Sequence, residues 1–287
     1  LEEGESQGEF VNKQGPIIGM EAFRGVLKTG RYIVGPGDEF LIFMAGMEEP
    51  KVSTVLAEGG LFIPAVGLVQ VGGLRLVDAH AAIDSSFRSS VQVGDIKIEL
   101  SVPRRFPVPV VGMVAEQGIM EGSGVERVTE IIAKAGGLTE TSSRRNIVVY
   151  KNAYGDSERR GQIYAWARAG RTGAVPGFDY RRVDITMYDA TGQSWSNPFL
   201  EDGDIVVVPA TLGQVGALEA VQRSGFYEYV HGDRISDLLN LAMGPAPSYD
   251  SEHAYLFRYD ENLTERPSFG IDIEGVLAGD LEADWPL

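Results

Sequence analysis

Residues 31–64 read RYIVGPGDEFLIFMAGMEEPKVSTVLAEGGLFIP: an extended entry, then a tight Gly35-Pro36-Gly37-Asp38 corner. Pro36 fixes its own φ, the flanking glycines tolerate the positive φ of a sharp reversal, and Asp38 can bond its own backbone. After the corner come a strand of large apolar residues, an acidic turn, a second strand, the Gly59-Gly60 turn and a third strand. The stretch predicts a small β-meander. Nothing in it looks catalytic, and the rest of the chain repeats its grammar.

Working outward, 287 residues leave room for about two or three domains with cores of their own. A chain with 44% apolar and 23% charged residues is composed like a soluble globular protein, and 36 glycines point to many turns and hence to β structure. Formal charge is −16, from 41 acidic against 25 basic residues. That balance argues against nucleic acid, whose binding depends on phosphate neutralisation by Lys and Arg. With no cysteine, this sequence carries no disulfide, thiolate or Cys-ligated zinc, and no Cys for a lipid. No apolar run reaches the roughly 18 residues of a membrane span. LEEGESQGEF at the start has neither the basic head nor the apolar core of a signal peptide.

Residues 1–30 read as a polar, glycine-rich leader ordered in part by docking on the domain after it. Beyond the meander, Leu76, Ala79, Ile83 and Phe87 recur at helical spacing and predict an amphipathic helix over 74–87 covering one face of the sheet. Ile96, Ile98 and Leu100 alternate with Lys97 and Glu99, which predicts a half-buried strand within 91–102.

Residues 107–287 look duplicated. The first copy predicts a strand from Pro107, a corner at Gly118, a helix over 125–135 opened by a Ser123/Glu126 capping box, a stop at Gly136-Gly137, and a strand over 147–150. The second predicts a strand from Gln214, a corner at Gly225, a helix over 234–242 capped by Asp233, a stop at Met243-Gly244, and a strand over 254–259. Corner and stop glycines lie 18 residues apart in one copy (136 − 118) and 19 in the other (244 − 225). Agreement across several elements implies one fold used twice. Val183-Asp184-Ile185 and Asn197 to Leu200 match Ile271-Asp272-Ile273 and Asp284 to Leu287; the first ending runs on into EDGDIVVVPA, a second Gly-Asp corner and strand. The second copy is expected to be cut short before that strand, with another Gly-Asp strand coming after Leu287.

Tyr32-Ile-Val-Gly-Pro-Gly-Asp38, then Gly60-Leu-Phe-Ile-Pro64, Val66-Gly67, Val71 and Gly73-Leu74, resemble the opening signals of the Wza-like polysaccharide export family. Val111-Gly112, Gly118, Ala135-Gly136-Gly137 and the run from Leu200 to Pro209 resemble its SLBB modules. Met243-Gly244 departs from the usual Gly-Gly, and the lipid-bearing Cys is absent from this sequence. The resemblance implies an α+β, multidomain chain: a polysaccharide export domain (β-meander plus helix) followed by two β-grasp-like modules. The expected domains are a leader over 1–30, the export domain over 31–106, a first module over 107–211 with an insertion at 151–182, and a second over 212–287. It further implies a bacterial, periplasmic protein associated with the outer membrane through segments outside this sequence. Homo-oligomeric rings would conduct bacterial polysaccharide, with an inner-membrane polysaccharide co-polymerase as partner, no enzymatic activity and no cofactor. Two other classes compete: a soluble ligand- or glycan-binding β-grasp module, marked by a closed pocket, and a glycan hydrolase, marked by facing carboxylates about 5 to 10 Å apart.

Individual motifs point away from chemistry. Gly35 to Asp38 lacks the Lys-Ser/Thr ending of a phosphate loop and precedes a strand. Glu201-Asp202-Gly203-Asp204 lacks the alternating ligands of a calcium loop and reads as a solvated hairpin turn. His80, His231 and His253 sit in separate elements without ligand spacing. Asn262-Leu263-Thr264 reads as a loop. The exception is the insertion at 151–182, where Arg159, Arg160, Arg168, Arg171, Arg181 and Arg182 accompany Tyr164, Trp166, Phe178 and Tyr180. A basic, aromatic segment on an acidic protein predicts contact with an acidic polysaccharide or with an acidic patch on a neighbouring subunit, against the plainer reading of a solvated loop with a short helix.

Overall fold

A computed structural model describes residues 32–44, 48–91, 95–171, 173–258 and 267–287. The expected leader and the sequon lie outside them. The chain divides into two compact units, residues 1–104 and 105–287.

In the first unit the corner forms as its residues dictate. Gly37 has φ +94°, the third position of a turn with proline second, and the Asp38 carboxylate accepts the Gly35 N–H at 2.8 Å. The chain then runs into β1 (Glu39–Met44), which pairs antiparallel with β2 (Lys51–Thr54). β3 (Gly60–Ile63) pairs forward with β4 (Gly67–Gln70) as a separate hairpin, and β1 gains its second neighbour from β5 (Ile96–Val102). Strand alternation puts Phe40, Ile42 and Leu100 inside. Helix α1 (Leu76–Ser90) buries Leu76, Ala79, Ile83 and Phe87, the face the sequence marks out. It outlasts the expected Phe87 end by three residues, a turn held by an Arg88–Asp84 pair across i and i+4.

On α1, His80 sets its ring edge-on to Phe40 with centroids 6.5 Å apart, and its Nε2 is buried without a partner. Burial holds its imidazole below the ordinary value, against the weaker pull of Glu99. The folded unit therefore binds fewer protons there than the unfolded chain, so the stabilisation present above the unfolded value is lost as pH falls towards the folded one. His80→Gln is expected to flatten the drop in urea midpoint between about pH 7 and about pH 5. An unchanged drop would assign it to other groups.

The second unit contains one complete five-stranded sheet. β6 (Arg105–Gly112) pairs with β7 (Gly118–Ser123); next come helix α2 (Val128–Lys134), β8 (Ile147–Tyr150), α3 (Ser157–Arg168), β9 (Tyr180–Val183), α4 (Ile185–Thr191), a 3-10 turn (Ser194–Ser196) and β10 (Ile205–Val208). The order is β7-β6-β10-β8-β9, with β10 in the middle, parallel to β6 and antiparallel to β8. Val128, Ile131 and Ile132 of α2 pack on one face with Val108, Val110, Ile147, Val149, Val206 and Val208.

The later elements are β11 (Gln214–Ala217), β12 (Gly225–Glu228), α5 (Ile235–Leu241), β13 (Tyr255–Phe257), β14 (Ser268–Gly270) and α6 (Ile273–Ala278). They reproduce several hydrogen bonds of the first copy. Glu116 N donates to Ala135 O at 2.9 Å and Arg223 N to Ala242 O at 3.0 Å, each pair 107 positions on from its counterpart (223 − 116, 242 − 135). Leu200 N donates to Glu126 O and Leu287 N to Asp233 O; Asp184 caps α4 and Asp272 caps α6. At the helix stop, Gly136 (φ +75°) is matched by Met243 at φ +62°, so the departure from Gly-Gly leaves a non-glycine residue in the same left-handed turn.

Three local expectations need correction. Gly118 and Gly225 open strands β7 and β12 rather than standing at corners. Ser123 and Glu126 do not cap α2: Glu126 pairs with Lys134, and the helix begins at Val128, where the Glu130 carboxylate accepts the Arg127 N–H at 2.6 Å. Asp233 does not cap α5 either. There the Asp237 carboxylate accepts the Arg234 N–H at 2.9 Å, and the Asp233 carboxylate accepts the Val230 N–H instead.

Candidate functional site

The insertion folds as a cover for the sheet. β8 (IVVY) and β10 (IVVV) are apolar without alternation and buried throughout, so both faces of the sheet need a layer. α2 supplies one; α3 and the segment after it supply the other. Ile163, Tyr164, Trp166, Val175 and Phe178 pack there with Val148, Tyr150, Ile205 and Val207. Asp156 starts α3 by accepting the backbone N–H groups of Glu158 and Arg159 at 2.9 and 3.1 Å. Tyr150 hydroxyl accepts the Val175 N–H at 2.9 Å and ties the segment to the sheet.

The six singled-out residues therefore divide by role. Tyr164 and Trp166 are half-buried, and the Trp166 indole donates to Gly173 O at 3.2 Å. Arg160 is half-buried too; it donates to Tyr154 O at 2.7 Å with its guanidinium 5.3 Å from the Tyr154 ring. Arg159, Arg168 and Arg171 are exposed. Arg159 lies over Phe178 at 5.6 Å and Arg171 over Trp166 at 4.7 Å, so each ring turns its inner edge to the core and carries a cation on its outer face. Arg181 and Arg182 sit exposed on β9, at the sheet edge. The surface of the insertion thus carries two ring-backed guanidinium groups, Arg159 and Arg171, the first also 3.6 Å from the Asp156 carboxylate.

The Gly-Asp corners are occupied by their own chain. Asp38 accepts from the Tyr32 hydroxyl, from Gly35 N, and from Arg104 N at 2.6 Å, with the Arg104 guanidinium 3.3 Å away. Burial first, and the Asp38 carboxylate second, push the Tyr32 phenol well above its ordinary value. Asp204 is fully buried rather than solvated. It accepts Glu201 N at 2.9 Å and holds Lys151 Nζ at 2.8 Å. A third Gly-Asp corner, Val230-His231-Gly232-Asp233, is built in the same way: Gly232 has φ +93°, Asp233 accepts Val230 N at 2.9 Å, and its cation is Arg145 at 2.7 Å. Each corner is a buried carboxylate stitched to its own backbone and to a distant cation, an arrangement that repels phosphate and already satisfies the oxygens calcium would use.

Among the described residues, no group of three or more His, Asp or Glu side chains could hold a metal ion. A family model described as polysaccharide biosynthesis/export protein matches residues 27–102, and an SLBB domain model matches residues 107–161. The chain has the architecture of a Wza-like polysaccharide export protein. Both matched models describe polysaccharide export or transport domains rather than enzyme families, and the export-domain family is periplasmic or outer-membrane associated. Among the described residues, no helix is long and apolar enough to cross a membrane.

Proposed function

We propose that this chain is the periplasmic part of an outer-membrane translocon for capsule or exopolysaccharide, in which copies of the chain form a ring that conducts the polymer. The observation that carries the reading is the order of an export domain followed by an SLBB domain. In this reading the domains run over residues 31–106, 107–211 with the insertion at 151–182, and 212–287, and the recurring hydrogen bonds support taking the last as a second SLBB module. A conduit needs no reacting group. It needs a rigid wall that wets the sugar without holding it, which suits an acidic chain whose charged corners are closed on themselves. An inner-membrane polysaccharide co-polymerase would feed it, and the outer membrane would be reached through segments outside this sequence. Cells lacking the protein are expected to lose surface polymer and retain it in the periplasm; normal surface polymer would contradict the reading.

Within it, Arg159, Arg168 and Arg171 contact an acidic glycan or an acidic neighbour, with Arg160, Tyr164 and Trp166 holding them in place. Reversing both Arg159 and Arg168 to Glu is expected to lower export several-fold while leaving the melting temperature within a few degrees, since exposed charges contribute little to stability. Unchanged export and unchanged assembly would remove the insertion from the function.

A further inference from the structure

The second repeat has no counterpart of the insertion. Residues 151–179 separate β8 from β9, whereas ten residues, 258–267, separate β13 from β14, fewer than the 12 of α3 alone. The sheet face that α3 covers in the first repeat is therefore presented without that layer in the second. Val148 and Val111 pack under the insertion. Their counterparts 107 positions on, Tyr255 and Leu218, are 50% and 54% exposed. Phe226, 67% exposed, belongs to the same face: a Cβ on Gly216 would meet its ring at 3.1 Å and Leu218 at 3.5 Å.

Charge selects what fits there. Residues 212–287 carry 14 acidic against 4 basic side chains, net −10, while residues 151–182 carry 7 basic against 3 acidic, net +4. The leader, the export domain and the rest of the first module are each net acidic, so the insertion is the one segment of opposite sign. Its charges are also available. Among the described residues, exposed Arg168 and Arg171 pair with no carboxylate, and on the second repeat Glu219, next to Leu218, and Glu252, three positions before Tyr255, are exposed and pair with no cation.

We propose that this uncovered face of the second repeat docks the outer surface of the insertion on a neighbouring copy. Arg168 and Arg171 lay their guanidinium planes and aliphatic stems on the Phe226 and Tyr255 rings, and Glu219 and Glu252 balance their charge. A saccharide fits less well, because Leu218 and Phe226 offer its hydroxyl groups no partner. The two surfaces lie on different repeats, so the contact is heterologous and propagates from copy to copy, closing as a ring or running on as a fibre. The inference rests on the ring proposed above for its closure, and adds which surfaces meet.

The sequence has no cysteine, so introduced pairs report against a blank control. Ala165→Cys, exposed on α3, and Ser224→Cys, exposed two positions before Phe226, leave every residue named in the contact in place. Produced together in cells that make the polymer and treated with a short bis-maleimide, the two single variants should give a linked dimer, and neither alone should. Both substitutions on one chain should give a ladder of linked multimers. Arg168→Glu with Arg171→Glu should cut linkage about tenfold, and adding Glu219→Arg with Glu252→Arg should restore it. Linkage by either single variant alone, linkage confined within single chains, or linkage indifferent to the charge swap would each overturn the docking. A ring, seen by the mass of the detergent-extracted protein, that forms with no link would overturn the docking and leave the conduit standing; a monomer with no link would overturn both.

Discussion

Arg145→Met is expected to destabilise the second unit by about 3–5 kcal/mol, the cost of removing one partner from a buried ion pair. Arg145 is 1% exposed and makes the join between the two repeats. Its Nε donates to Asp184 at 3.0 Å, its two terminal nitrogens to Asp233 at 2.7 and 3.1 Å, and one of them also to Glu228 O at 2.6 Å. Asp184 caps α4 in the first repeat; Asp233 closes the corner before α5 in the second. Without the guanidinium both carboxylates stay buried with no cation, and the packing of α4 Met187 against Tyr227 and Leu238 loses its polar anchor. In urea, the repeats should separate into two transitions, with α5 amides exchanging first. Acid should soften the loss. Burial pushes the Asp184 carboxyl above its usual range, opposed by Arg145, so this group favours folding below the unfolded value and loses that contribution as pH rises through the folded one. Removing Arg145 removes the opposition, so the penalty should shrink as pH falls from about 7 towards about 4. A single transition with a penalty under about 1 kcal/mol would show that the repeats are held by apolar packing alone.

Asp38→Ala is expected to cost a similar amount, about 3–5 kcal/mol, confined to the first unit. One carboxylate there serves the Tyr32 hydroxyl, two backbone N–H groups and a guanidinium, and it is fully buried. Each donor left without an acceptor costs about 1–3 kcal/mol. The corner loses the bond that fixes its first residue, and β1 loses the anchor that sets where it begins. Asp38→Asn keeps an acceptor and should recover part of the loss. A second readout is independent of stability: with the carboxylate gone, the Tyr32 phenol should titrate closer to an ordinary tyrosine in the folded protein, visible by ultraviolet titration. If Asp38→Ala melts like the parent, the Gly-Pro-Gly-Asp signal is not what holds this unit together.

Where the signal is local, the sequence is readable. The apolar spacing on α1, the apolar run of β8 and the positive-φ stops at Gly136 and Gly244 are set by residues within a turn of each other. β7 and β12 are hard to read because an edge strand needs little apolar pattern; Ile119 and Phe226 point to solvent at 60% and 67% exposure. Arg145 lies in a polar run, SSRRN, that reads as an ordinary turn, and its partner Asp233 is 88 positions away, beyond any periodicity argument. The insertion is legible as unusual but not as a core layer. Its clue is present in β8 and β10, whose unbroken apolar runs require cover on both faces. Tyr164, Trp166 and Phe178 face inward for that reason, whereas Tyr180 is 49% exposed and Arg159, Arg168 and Arg171 lie on the surface.

The most direct test of the conduit is the mass of the protein extracted with detergent from its native membrane, measured on intact particles. A closed ring of several identical copies, with one discrete mass, is the expected result. A stable monomer, with the same mass before and after dilution and with no loss of polymer export, would contradict it.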